Sequence, residues 1–116
     1  MTLHNDNTNN EEKQQSNYEI AKEIGHIIWK IEVTPLAIRL LLYQVDQQFN
    51  YIKNGKIKEY DSVSLNVIAR QFGMANYQNI VVAIKELESC NILIVDREIG
   101  RRNKYFINRN IKEWII

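Results

Sequence analysis

Cysteine is almost absent from this chain: Cys90 stands alone among 116 residues, so no internal disulfide can form. A small secreted scaffold held by disulfides is thereby excluded, and a reducing compartment is expected. No apolar run approaches the roughly 20 residues that span a bilayer. Met1 to Gln15 is polar, rich in Asn and Gln, and lacks the apolar stretch of a signal peptide. These absences predict a cytoplasmic protein without membrane contact. Catalytic patterns are missing as well. There is no phosphate-binding glycine loop, no activated Ser or Cys arrangement, and no carboxylate pair that a fold would bring into a cleft. His4 falls in the polar N-terminal stretch and His26 stands singly on a helix, neither beside cysteines or carboxylates at ligand spacing, so no metal site is expected. The expectation is a non-enzyme that needs no cofactor and takes no small-molecule ligand.

What is present suffices for one core: 45% hydrophobic against 25% charged residues is the balance of a globular domain, in a length that suits one domain rather than two. Residues 1–15 read as a flexible polar tail and 16–116 as the domain. A net charge of only +1 hides an asymmetry. Met1 to Ile24 carries five acidic and two basic side chains, whereas Arg97 to Lys112 carries six basic and one acidic. Such a basic segment concentrates phosphate binding on one face.

Ser16 and Glu19 form a capping-box pattern, and Ile20, Ile24, Ile27, Ile28 and Ile31 follow at helical spacing, predicting an amphipathic helix over 17–29 weakened by Gly25. Thr34-Pro35 opens a second helix, with threonine as cap and proline at the first helical position; it runs through Leu40 and Tyr43 towards Phe49. Asn54-Gly55 punctuates its end, and 53–61 reads as a polar loop or a short strand at 57–60. Ser64 caps a short helix bearing Leu65, Ile68, Ala69 and Phe72, closed by Gly73. Asn76 then caps another, with Ile80, Ala83, Ile84 and Leu87 inward and Asn91 as its left-handed terminator. Two β-type runs, 92–97 and 104–108, flank a tip at Gly100. Ile111, Trp114 and Ile115 are expected to pack back on the body, and Trp29 and Trp114 read as core.

Helix, short helix, tight turn, helix and a hairpin with arginines at its tip is the order of a winged helix-turn-helix. The class is mainly α with a small β wing (α+β) and an extra N-terminal helix. In that geometry the helix after the turn enters the major groove and the wing reaches a neighbouring groove or backbone. Asn76, Tyr77, Gln78, Asn79, Val82 and Lys85 are then the recognition-helix candidates. Amide side chains match the edge of adenine and an apolar one touches the thymine methyl, which points to an A·T-rich site. Arg97, Arg101, Arg102, Asn103 and Lys104 are the wing candidates, for phosphates or a narrow minor groove, with Arg70 as a secondary contact. Val81 and Val82 either read thymine methyls or belong to a dimer interface.

The segment Ser64 to Leu93, S-L-N-V-I-A-R-Q-F-G-M-A-N-Y-Q-N-I-V-V-A-I-K-E-L-E-S-C-N-I-L, resembles the common bacterial winged-helix pattern. More narrowly, I-I-W-K-I-E-V-T-P-L with G-R-R-N-K-Y-F-I-N-R-N-I-K-E-W resembles the DNA-binding domain of phage and plasmid replication initiators and replisome organisers, over about residues 27 to 116. In that family a tryptophan precedes the first helix and an N-x-Y-x-I-N strand closes the wing, matched here by Trp29 and by Asn103, Tyr105, Ile107 and Asn108. The resemblance implies a sequence-specific protein of a plasmid, phage or mobile element, binding double-stranded DNA in replication initiation, partition or transcriptional control. Two-fold symmetry would pair a homodimer with repeated or palindromic sites. The alternative is a winged-helix module for protein contact, an adaptor or inhibitor without DNA binding.

Overall fold

The computed structural model describes residues 6–50, 52–53, 56–57 and 60–116, with side chains over 17–49 and 60–116. It is mainly helical, with small antiparallel sheets. Helix α1 spans Asp6–Ile27, starting ten residues before the expected cap, so Ser16 lies inside it. The reason is local: no glycine or proline interrupts residues 6–24, and Glu11, Glu12, Lys13, Gln14 and Gln15 are good helix formers. Residues 1–5 of the expected tail lie outside the described residues. From Asn17 onward α1 turns Asn17 and Ile24 fully inward, with Ile20, Ala21 and Ile27 partly buried beside them.

A 3-10 turn at Ile28–Lys30 ends α1 and overturns one expectation, because Trp29 is 76% exposed rather than core. Its Nε1 donates to the His26 carbonyl at 2.9 Å, and the Lys30 ammonium lies 5.2 Å from the ring centroid. The inward register of α1 belongs to its isoleucines, which leaves the indole on the outer side.

Helix α2, Pro35–Val45, begins as its sequence dictates: Thr34 Oγ1 accepts from the Ala37 amide at 3.3 Å and Pro35 takes the first position. Ala37, Leu40, Leu41, Gln44 and Val45 face the core. The chain then widens into a π turn at Asp46–Asn50, which buries Gln48 and Phe49 and carries the expected helix to its end in looser form. A pair of two-residue strands follows, β1 (Ile52–Lys53) and β2 (Lys56–Ile57), with Ile52 opposite Ile57. Asn54 and Gly55 lie outside the described residues.

Helix α3, Leu65–Gln71, takes Ser64 as its cap through the Val67 amide. At its end Gly73 adopts φ +72°, and Met74 N–H donates to Ala69 O while Gly73 N–H donates to Arg70 O, a Schellman closure that favours glycine. Helix α4, Gln78–Ser89, buries Ile80, Ala83, Ile84 and Leu87 and ends the same way, with Asn91 at φ 60° in the glycine position. Helix α2 packs on α4, α3 leans on α4, and Leu40, Leu41, Ile68, Ile80 and Leu87 form the fully buried centre. Each such side chain contributes about 1.5–3 kcal/mol.

Strands β3 (Leu93–Asp96) and β4 (Lys104–Ile107) pair antiparallel, Leu93 opposite Ile107 and Asp96 opposite Lys104. Asp61 joins them as a single bridge, exchanging both backbone bonds with Tyr105 at 2.9 and 2.8 Å. The C-terminal segment packs back as expected. Trp114 is buried with Nε1 donating to Asn108 O at 2.8 Å, and the Ile115 amide donates to Cys90 O.

Candidate nucleic-acid interface

The turn between α3 and α4 sets the direction of α4. The cap of α4 is Tyr77, one residue later than the expected Asn76, and it makes no side-chain cap bond; Asn76 Oδ1 instead accepts from the Gln78 amide at 3.1 Å from just outside the helix. Because Ile80, Ala83, Ile84 and Leu87 face inward, the opposite side of α4 presents Gln78, Asn79, Val82 and Lys85, all exposed, and Asn76 and Tyr77 are exposed at its start. The two valines part company: Val82 is 64% exposed on the outer face, whereas Val81 is half-buried. Glu86 turns aside to the start of α2, accepting from Thr34 Oγ1 at 2.7 Å and Thr34 N–H at 3.1 Å. It thereby places a negative charge at that helix N-terminus.

The five wing candidates do not behave alike. Arg97 forms a bidentate pair with Glu88 at 2.8 and 2.9 Å, tying the end of β3 to α4. That bond holds the Glu88 carboxyl below its usual pKa and raises that of Arg97. Arg97 is thus paired within the fold, with its side chain about half exposed. Arg101 and Arg102 are exposed beside Gly100, whose φ of +81° makes the tip turn, and Arg101 lies 3.5 Å from Glu98. Lys104 is half-buried with its ammonium 5.1 Å from the Tyr60 ring centroid. Asn103 is half-buried beside the hairpin tip, and burial raises the Tyr105 pKa above that of a free tyrosine.

Three elements meet around an open cleft of about 330 Å³, lined by Ser64 and Asn66 at the start of α3, Tyr77 at the start of α4, and Arg101, Arg102 and Asn103 on the hairpin. The structure thus brings together candidates that are far apart in the chain. Sequence reasoning assigned Ser64 only a capping role and passed over Asn66; their position next to the β3–β4 hairpin follows from Asp61 pairing with Tyr105, which no local pattern reveals. A second hollow of about 320 Å³ lies along the α3–α4 turn, with Arg70, Met74 and Asn76 on its rim. Chemically the assembled face offers amides, hydroxyls and guanidinium groups, suited to a polyanion backbone and base edges.

Among the described residues no group of three or more His, Cys, Asp or Glu side chains gathers at metal-binding distance, and no helix is long and apolar enough to cross a membrane. Comparison with protein-family models, with curated proteins and with solved structures finds no match.

Proposed function

We propose that this chain is a winged helix-turn-helix protein that binds double-stranded DNA in the cytoplasm, as a homodimer and without catalytic activity or cofactor. It would serve the replication, partition or transcriptional control of a plasmid, phage or similar element. The observation that carries the reading is the cleft that unites Tyr77 with Arg101, Arg102 and Asn103 on the side towards which α4 starts. In this reading α4 enters the major groove, where Gln78 and Asn79 offer paired donor and acceptor groups to adenine and Val82 meets the thymine methyl. Arg101 and Arg102 hold phosphates or enter a narrow minor groove, while Arg97 ties the base of the hairpin to α4 through its bond to Glu88.

The test is binding to A·T-rich and mixed duplexes across a salt series. Affinity should fall steeply with salt, and Arg101→Ala with Arg102→Ala should flatten the log–log slope by about 1.8, or 0.9 per lost phosphate contact. Val82 favours a second reading, a module for protein contact, because an apolar side chain at the centre of the outer face also suits a protein partner. Absence of duplex binding at low salt would select it.

A further inference from the structure

Tyr18, Lys22, Gly25 and Trp29 recur at spacings of four, three and four, which places them on one strip of α1 and the turn that ends it. All four are exposed, Tyr18 at 63% and Trp29 at 76%, while the isoleucines occupy the opposite side. Gly25 is out of keeping with its own fold. A Cβ there would meet nothing within 4 Å, so nothing inside the chain calls for glycine, although glycine in a helix interior costs about 1 kcal/mol relative to alanine. A bare glycine on an exposed helix face lets another backbone come close. Next to it Trp29 is held outward by its bond to the His26 carbonyl and by the Lys30 ammonium on its ring. The strip therefore offers a hollow and, one turn on, a fixed aromatic knob.

The flanking charges identify what fits. Glu19 and Glu23 lie towards the N-terminal end of the strip, and Lys30 towards its C-terminal end with the His26 imidazole as a hydrogen-bonding group beside it, all exposed. We propose that α1 pairs antiparallel with α1 of a second copy of this chain, the two helices crossing at Gly25. A two-fold axis there sets Glu19 opposite Lys30 of the partner subunit and Glu23 opposite His26 of the partner subunit. The same axis lays the Trp29 ring over Lys22 of the partner subunit, a cation–π arrangement. A parallel pair would stack like charges. A second copy supplies the reversed charge order by symmetry alone. The proposal rests on the homodimer part of the reading above and is independent of DNA binding.

Sedimentation across a concentration series tests it. The protein should dimerise, and Gly25→Leu should weaken the dimer about tenfold or more by filling the crossing point. Leucine also raises helix propensity, so at concentrations where both proteins are monomeric the variant should melt no lower than the parent, which separates lost pairing from lost folding. Glu19→Lys should weaken the dimer, and adding Lys30→Glu should restore it. A protein monomeric at every concentration would overturn the homodimer reading itself. A dimer indifferent to both Gly25→Leu and the charge reversal would overturn the α1 pairing alone.

Discussion

Tyr43 shows how much one atom can matter in a small core. Its ring meets Phe72 edge-on at 5.7 Å, yet its hydroxyl is buried with no hydrogen-bond partner among the described residues. Burial, reinforced by the negative charges of Asp61 and Asp46, pushes its pKa up to about 12. The neutral phenol is therefore favoured by folding: its contribution is intact below about pH 10, the value for a free tyrosine, and is lost as pH rises towards 12. Tyr43→Phe removes an unsatisfied polar atom and leaves the edge contact in place. It should be neutral to stabilising by up to about 1 kcal/mol at pH 7. Urea titrations at a series of alkaline pH values should also show a shallower loss of stability, the remainder coming from Tyr105, whose pKa is raised too. At this scale the sequence is most legible where chemistry is local. Thr34, Ser64, Gly73 and Asn91 fill the roles that their side chains or backbone freedom dictate. Trp29 was misplaced for the opposite reason, since burial of an aromatic depends on which neighbours claim the inner face, and four isoleucines of α1 and its turn had claimed it.

Among the elements, α2 has the most informative start. Its cap is shared: Thr34 satisfies its own helix through Ala37 and is itself held by Glu86 from α4. A cap loss costs about 1 kcal/mol in general. Thr34→Ala and Glu86→Ala should each destabilise by roughly that amount, and because they break one unit the double variant should fall short of the sum by about 0.5 kcal/mol or more. Denaturant melts of the four proteins close this cycle; strict additivity would separate the cap from the α2–α4 contact. Elements bounded by such chemistry were readable from sequence to within a few residues, α3, α4 and the β3–β4 hairpin among them. The start of α1 was not, because a capping pattern at Ser16 looks the same inside a continuous helix as at its end. The π turn after α2 was not readable either, since Gln48 and Phe49 keep an inward position whether the turn is tight or wide.

Over the whole molecule, a buried polar ladder links the hairpin to the helices. The Ile107 amide on β4 donates to Gln48 Oε1 at 2.9 Å, Gln48 Nε2 donates to Gln44 Oε1 at 2.7 Å, and Gln44 Nε2 donates to Asp61 Oδ2 at 3.0 Å. Asp61 in turn accepts from the Val63 amide just before α3 and pairs with Tyr105 on β4. The ladder sets how the hairpin bearing Arg101 and Arg102 stands relative to α3 and α4, so it positions the cleft without lining it. It left a faint trace in the sequence, two glutamines four apart among Leu40, Leu41, Val45 and Phe49, but the partner Asp61 and its bridge belong to the tertiary fold. Gln48→Leu keeps much of the volume and orphans both the Ile107 amide and the Gln44 carbonyl. Each buried group left unpaired costs about 1–3 kcal/mol, so with two groups orphaned the variant should lose roughly 2–6 kcal/mol. Two readouts separate a general loss from a loosened hairpin. Denaturant melts report the first, and hydrogen exchange at Ile107 reports the second, where protection should fall by more than at Leu87 in the core of α4. If the two amides lost protection equally, the ladder would support the fold as a whole and would not orient the hairpin. If Ile107 alone opened, Arg101 and Arg102 would no longer be held beside Tyr77, and under the proposed DNA-binding function duplex affinity should drop with it.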